Sequence, residues 1–339
     1  MLARTSVLRH KVTGANLRTP LLVPSFSSKG FSKDSNGISE IGKVLETTAE
    51  FLTDSCLISA YDVKHGHVPP PENLPCRPEI IFLDSGGYEI SGERDFSAVE
   101  EPKRPGGQWT EKDLISVLDG WPKETATVLV SYDHHDERQP FAEQVKSARR
   151  LFRGRSNHLL AFLIKPETSQ QQTIENALRA AMADIEELGS FDIIGVTEKE
   201  LAGSVLDRMV RIAKLRRVMD DAKITAPIHI FGSLDPLSVC LYFLAGAEIF
   251  DGLTWLRYAY ADGMCVYTHN AGALRLGIHV KDSLVKTRTL ANNIYFLQEL
   301  QQKLRDFQAT KDFSKLDPHA KFLKDAVDSL NTRLNGRAE

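Results

Sequence analysis

The sequence predicts an α/β fold of the (β/α)8 barrel class, on three observations. Eight apolar, β-rich runs recur along the 339 residues: Pro20 to Phe26, Cys56 to Asp62, Glu79 to Ser85, Thr127 to Asp133, His158 to Ile164, Asp192 to Val196, Pro227 to Gly232 and Glu248 to Gly252. The intervals between the later runs carry helix-period sequence, and near-continuous apolar strands alternating with amphipathic helices make a parallel sheet covered by helices. Polar and aromatic residues sit at the C-terminal ends of the runs, where barrel enzymes gather their active sites: Asp62, Asp84, Asp133, Lys165, Gly195, Phe231 with Gly232, and Asp251. An open doubly wound sheet is the alternative, but no G-x-G-x-x-G follows the first run and no Walker loop occurs.

Taken in order, the first run leads into a Ser-, Lys- and Gly-rich stretch, 28–50, and the second into 63–78, rich in Pro and Gly; both predict long loops at the barrel mouth. The third run, Ile80-Ile81-Phe82-Leu83, ends in Asp84-Ser85-Gly86-Gly87-Tyr88. A strand there delivers a carboxylate to a turn where glycine lets backbone approach a ligand closely. The polar stretch 92–112 predicts a lid or substrate-binding segment. Helices are expected over 140–152, 173–188, 201–219 and 236–245, and a long one from Thr287 to Asp306, where Leu290, Ile294, Leu297, Leu300 and Leu304 fall at helical spacing. Residues 1–306 are read as one catalytic domain and 307–339 as a C-terminal helical extension whose stretch from Phe313 is one amphipathic helix.

Composition narrows the function classes. With 42% hydrophobic and 26% charged residues the chain can bury a large core, and no apolar run approaches the roughly 18 residues a membrane helix needs. The first residues lack the apolar stretch of a signal peptide, so a cytoplasmic location is expected. The four cysteines, Cys56, Cys76, Cys240 and Cys265, form no C-x-x-C pair, which argues against a disulfide framework or a Cys-rich zinc site. A net charge of −3 excludes a globally basic nucleic-acid binder. Local basic clusters at Arg149, Arg150, Arg153 and Arg155, at Lys214, Arg216 and Arg217, and at Lys281, Lys286 and Arg288 could each track a phosphate backbone or be ordinary solvated helix faces.

The motifs then converge on one resemblance. Asp84-Ser85-Gly86-Gly87-Tyr88 resembles the DSGG-[FY]-Q signature of the tRNA-guanine transglycosylase family. Ile249-Phe250-Asp251 followed by Arg257 is similar to its M-F-D-C-x-x-P-T-R segment, with the same Asp-to-Arg spacing. Ser131-Tyr132-Asp133 stands where that family has S-F-D-E, Gly195 to Glu200 where it has G-L-x-V-G-E, and Phe231 to Pro236 where it has M-G-V-G-x-P. With Thr19-Pro20 to Pro24, the matching stretches fall in the family's order from about residue 18 to 306.

The resemblance implies a (β/α)8 barrel that replaces guanine in a polynucleotide, tRNA or DNA, by a 7-deazaguanine base. Such double displacement needs a carboxylate nucleophile and a second carboxyl to shuttle a proton. By motif, Asp251 is the implied nucleophile and Asp84 the implied general acid/base. Asp133, with Ser85 and the Gly195 backbone, is implied in recognition of the base edge, and Gly86, Gly87, Lys165 and Gly232 in the pocket around it. Tyr88 and Phe231 are implied as the two walls of a purine slot. Arg257 is expected to hold a phosphate or brace Asp251.

The implied partners are nucleic acid and a free guanine or 7-deazaguanine base, with a homodimer or a partner subunit as the possible assembly and no membrane. The family's C-x-C-x-x-C plus His zinc module is absent, and Asn292 stands where its His would be, so no zinc and no other cofactor are expected. The sequence departs from the family at Ser59 for Asn, Glu89 for Gln, and Lys165 for Gln.

Two other functions are compatible with a barrel of this kind. A non-catalytic nucleic-acid-docking partner subunit would keep the barrel, but both Asp84 and Asp251 are present. A metal-dependent barrel hydrolase would use Asp133-His134-His135-Asp136, although adjacent side chains on a strand point to opposite faces and all four cannot converge without a bend.

Overall fold

The eight apolar runs form the eight strands of a closed parallel barrel. A computed structural model describes residues 2–33, 38–92, 95–98, 108–133, 138–167 and 174–336. A short antiparallel hairpin comes first, β1 (Val7–Arg9) with β2 (Asn16–Arg18). The barrel strands follow: β3 (Leu21–Phe26), β4 (Ser55–Ser59), β5 (Ile80–Asp84), β6 (Thr127–Val130), β7 (Leu159–Ile164), β8 (Ile193–Thr197), β9 (Ile228–Phe231) and β10 (Ile249–Gly252). Neighbours in sequence pair in parallel, and β10 closes on β3 with Ile249 opposite Leu21 and Asp251 opposite Val23. A last hairpin, β11 (Ala259–Ala261) with β12 (Met264–Val266), lies outside the barrel.

Because successive strand residues face opposite ways, each strand feeds two packing layers. Leu21, Val23, Phe82, Val128, Ala161 and Ile249 belong to a cluster that also holds Leu8 and Leu17 of the β1–β2 hairpin. Leu22, Ile81, Leu129, Phe162, Ile194, Ile230 and Phe250 alternate with them and pack against the helices. Burial on both faces explains why the strands read as continuous apolar runs.

The helices Phe141–Leu151, Val205–Asp221 and Pro236–Leu244 lie within about four residues of their predicted bounds. Elsewhere the expectations are corrected. Residues 28–50 are not one loop: they contain the helix Glu40–Thr48. The second run stops at Ser59 and turns into the helix Ala60–Lys64, so Asp62 lies on a helix and not at a strand end. The segment 173–188 holds a shorter helix, Glu175–Ala183, then a 3-10 turn, Ile185–Ser190. The long helix is Asp282–Thr310, which runs past the expected domain boundary at 306. Beyond it come a turn, Phe313–Leu316, and the helix Ala320–Leu334, rather than one continuous helix.

The long helix is fastened to the barrel by two buried amides. Gln301 accepts from the backbone N–H of Leu22 at 2.9 Å and donates to Asp54 at 2.9 Å. Asn293 donates to the carbonyls of Trp255 and Tyr258, each at 2.7 Å, and accepts from Tyr260 N–H at 2.9 Å. No helix among the described residues is long and apolar enough to cross a membrane.

Candidate active site

The C-terminal ends of the strands open into one pocket, whose walls include Ser25, Asp84, Tyr88, Glu89, Asp133, Lys165, Phe231, Gly232 and Asp251. The empty space within it is about 710 Å³, part of which is open solvent at the mouth. Seven of the twelve residues singled out from sequence line it: Asp84, Tyr88, Asp133, Lys165, Phe231, Gly232 and Asp251. Ser85, Gly86, Gly87, Gly195 and Arg257 stand behind its walls.

Asp251, next to last in β10, is held by its neighbours on β3 and β9. Ser25 Oγ donates to its Oδ2 at 2.7 Å, while His229 Nε2 lies 3.0 Å from Oδ1 and the backbone N–H of Gly232 donates to the same oxygen at 3.4 Å. Donors converging on both oxygens hold the carboxylate in one orientation at the pocket wall.

Asp84 sits three strands round the barrel, at the end of β5. Burial pushes its carboxyl up to about 7, and the charges of Glu89, Asp251 and Asp133 add to the rise, against a 3.2 Å hydrogen bond from Gly86 N–H. Gly86 is required at that turn: its φ is +87°, and a Cβ would lie 2.7 Å from Trp109 Nε1. Trp109 in turn donates to the Ser85 carbonyl at 2.9 Å.

Two further buried carboxyls flank Asp84. Glu89 accepts from Ser27 Oγ at 2.5 Å and Ser59 Oγ at 2.8 Å, and burial together with the charge of Asp62 drives its pKa upward. Asp62 accepts from the backbone N–H and hydroxyl of Ser28, and burial and Asp84 raise it as well. Ser59 and Glu89, both departures from the motif pattern, are therefore partners.

Asp133 is part of a square of charges in which it and Lys165 are buried and Arg138 and Glu200 half-buried. Its Oδ1 accepts from Arg138 Nε at 3.2 Å and its Oδ2 lies 3.1 Å from Lys165 Nζ; Arg138 Nη1 and Lys165 Nζ reach Glu200 at 2.8 and 3.2 Å. Two cations and two anions thus compensate one another out of water, as buried charges must. Lys165 Nζ also donates to Thr197 Oγ1 at 3.1 Å, so its three N–H donors all have acceptors within the protein. Its place in the pocket is as an anchor for Asp133. Ser85 Oγ accepts from the Asp133 N–H at 3.4 Å and positions that residue from behind.

The two aromatic walls are braced differently. Phe231 stacks on His229 with ring centroids 3.8 Å apart, and lies so close over Gly195 that a Cβ there would meet its Cε2 at 2.5 Å. Gly195 therefore makes room for the ring and does not line the pocket, contrary to its expected part in contacting a base. Tyr88 has its hydroxyl on Asp95 at 2.7 Å, its carbonyl on Lys29 Nζ at 2.7 Å, and the same ammonium 4.0 Å from its ring centroid.

Arg257 donates to both oxygens of Asp95 at 2.7 and 2.9 Å, and so braces Tyr88 through Asp95 rather than bracing Asp251. Burial would raise the Asp95 carboxyl, but Arg257 and the hydrogen bonds from Ser97 and Tyr88 hold it below the usual carboxylate range.

His229, Ser25, Lys29, Asp95, Arg138 and Glu200 carry the site without having been singled out from sequence. For His229 there was a signal: it is the polar residue in Ile228-His229-Ile230-Phe231, two positions from Phe231 and so on the same strand face. His134, His135 and Asp136 lie outside the described residues, and among the described ones no group of three or more His, Cys, Asp or Glu is placed to hold a metal ion.

No protein-family model matches the chain, and no curated protein matches it.

Proposed function

We propose that the chain is a base-exchange enzyme of the tRNA-guanine transglycosylase type, replacing guanine in a nucleic acid by a 7-deazaguanine. The single observation that carries this reading is a pair of carboxyls in different surroundings on one pocket. Asp251 is surrounded by hydrogen-bond donors, and Asp84 is half-buried and shifted up to about 7. Two carboxyls with environments that differ in this way suit a nucleophile and a proton shuttle.

In the proposed reaction the Asp251 carboxylate attacks C1′ of the target nucleoside. The glycosidic bond breaks, its electron pair leaves with guanine, and protonated Asp84 delivers a proton to the departing base. The product is a covalent glycosyl ester on Asp251. The incoming 7-deazaguanine then loses its N9 proton to Asp84 and attacks C1′, which frees Asp251 and returns the proton to Asp84. Near pH 7 a group with a pKa of about 7 can serve in both directions.

The base would lie between Tyr88 and Phe231, stacking on aromatic faces. An ionised carboxylate offers about four lone-pair sites, and Arg138 and Lys165 occupy part of the Asp133 carboxylate. The rest can accept from the N1–H and amino group of guanine.

A polynucleotide partner is supported by the surface beside the mouth. Thr268 opens the helix Thr268–Leu276 and donates to the carbonyl of Arg257, whose side chain grips Asp95 at the pocket wall. Between 268 and 288 the exposed Arg275, Lys281, Lys286 and Arg288 meet a single acidic residue, Asp282, in a chain whose net charge is −3. Such a basic strip fits a phosphate backbone.

The test is incubation of the protein with labelled guanine and either tRNA or duplex DNA. Label entering one polymer supports base exchange and identifies the substrate. No incorporation into either, with the Asp251→Ala variant indistinguishable from wild type, contradicts it.

A further inference from the structure

We infer that His229 is the positioning residue of the site: a neutral imidazole, protonated on Nε2, that fixes the Asp251 carboxylate for attack. The inference rests on the base-exchange reading for its chemistry and on the barrel interior for its geometry.

His229 is fully buried on β9, and its Nε2 lies 3.0 Å from Asp251 Oδ1. Its other nitrogen, Nδ1, is buried and has no hydrogen-bond partner among the described residues. That asymmetry sets the proton. An imidazolium would place a second N–H at Nδ1 with no acceptor, whereas the neutral ring protonated on Nε2 leaves only a lone pair there and directs its one N–H at the carboxylate.

The ring itself cannot turn freely. Phe231 stacks on one side at 3.8 Å and Phe82 meets it edge-on at 5.5 Å. Ser25 Oγ, 2.7 Å from Oδ2, supplies the second fixed donor. Asp251 is thus gripped at both oxygens by side chains from the strands on either side of it, β3 and β9, while it still borders the pocket.

The arrangement suits a carboxylate that must make and release an ester bond. Neutral donors stabilise the charge that returns to Asp251 as the sugar leaves, without the full positive charge that would blunt its attack. The stack on Phe231 also ties the nucleophile to one wall of the base slot, so that the slot and the reacting oxygen share one rigid unit.

A structural buried pair would affect folding alone, so the test separates the two roles. His229→Gln keeps an N–H donor near the Nε2 position, and His229→Leu removes it at similar bulk. At saturating polynucleotide, His229→Leu is expected to form the covalent adduct roughly 100-fold more slowly, the order of loss that misplacement of a reacting group causes, with KM changed less than about threefold. His229→Gln is expected to recover most of the rate. Wild-type turnover in His229→Leu, or equal slowness in both variants at unchanged melting temperature, overturns the inference.

Nitrogen-15 spectra of histidine-labelled protein provide a readout that needs no activity. The resonance lost in His229→Gln should show a neutral ring protonated on Nε2 and should shift in Asp251→Asn. A charged ring or an Nδ1-protonated one overturns the inference whether or not exchange is observed. A wild-type protein that forms no adduct, yet shows that resonance, counts against base exchange and supports the geometry.

Discussion

Replacing Asp84 by Asn should make the protein more stable at alkaline pH and inactive, because the same burial that suits the carboxyl to proton transfer opposes its ionisation. Folding raises the Asp84 pKa from 3.8 to about 7. A group whose folded pKa is raised gives stability that is fully present below its unfolded pKa and is lost as pH climbs through the folded one. The window is therefore about pH 4 to 7. A shift of roughly 3 units at about 1.4 kcal/mol each sets a ceiling near 4 kcal/mol. Asp84 keeps part of its surface in the pocket, where water relaxes the penalty, so about 2 kcal/mol is the working value. Asn has nearly the same shape and cannot ionise. Melting temperatures of the two proteins should lie close together at pH 4 and diverge by several degrees in favour of Asp84→Asn at pH 8. Glu89 and Asp62, also shifted upward, still titrate in the variant and leave it a shallower decline. Parallel melting curves from pH 4 to 8 would refute the reasoning, since Asp84 would then ionise as easily in the folded protein as in the unfolded chain.

Three other perturbations address the rest of the site. Gly195→Ala puts a methyl group 2.5 Å from Phe231 Cε2 and should displace that ring; affinity for free guanine, measured by calorimetry, should fall about tenfold or more while the protein stays folded. Lys165→Met leaves Asp133 and Glu200 sharing the Arg138 guanidinium, and urea unfolding should show a loss of about 3 kcal/mol; a loss below about 1 kcal/mol would mean that the square of charges is not held as a unit. Reversing Arg275, Lys281 and Lys286 to Glu should weaken polynucleotide binding and flatten its dependence on salt, by up to roughly one unit of slope per phosphate contact removed, with guanine binding unaltered.

What was legible in the sequence followed from burial and position. The barrel strands are buried on both faces, so they stand out as apolar runs, and residues that interrupt those runs at their ends, Asp84, Asp133, Lys165, Phe231 and Asp251, do line one pocket. What was not legible depends on barrel closure and on loop paths. Arg138 meets Glu200 and Arg257 meets Asp95 across 62 and 162 residues, and no local spacing encodes either pair. Asp62 reads as a strand end because Ala60 and Tyr61 prolong the apolar run, although the chain has already turned into a helix there. His229 sat in plain view as the polar member of its strand, but its meaning depends on β10 pairing beside β9 and bringing Asp251 within 3.0 Å.

The central claim is that Asp251 becomes covalently bonded to the sugar while Asp84 carries the proton. Its most direct measurement is intact and peptide mass spectrometry of the protein quenched in acid during reaction with tRNA or duplex DNA in the presence of guanine. A nucleotide adduct is expected on the peptide that contains Asp251, formed by wild type and absent from both Asp251→Ala and Asp84→Asn. An adduct on any other residue, or none with either polymer while label still exchanges, would contradict it.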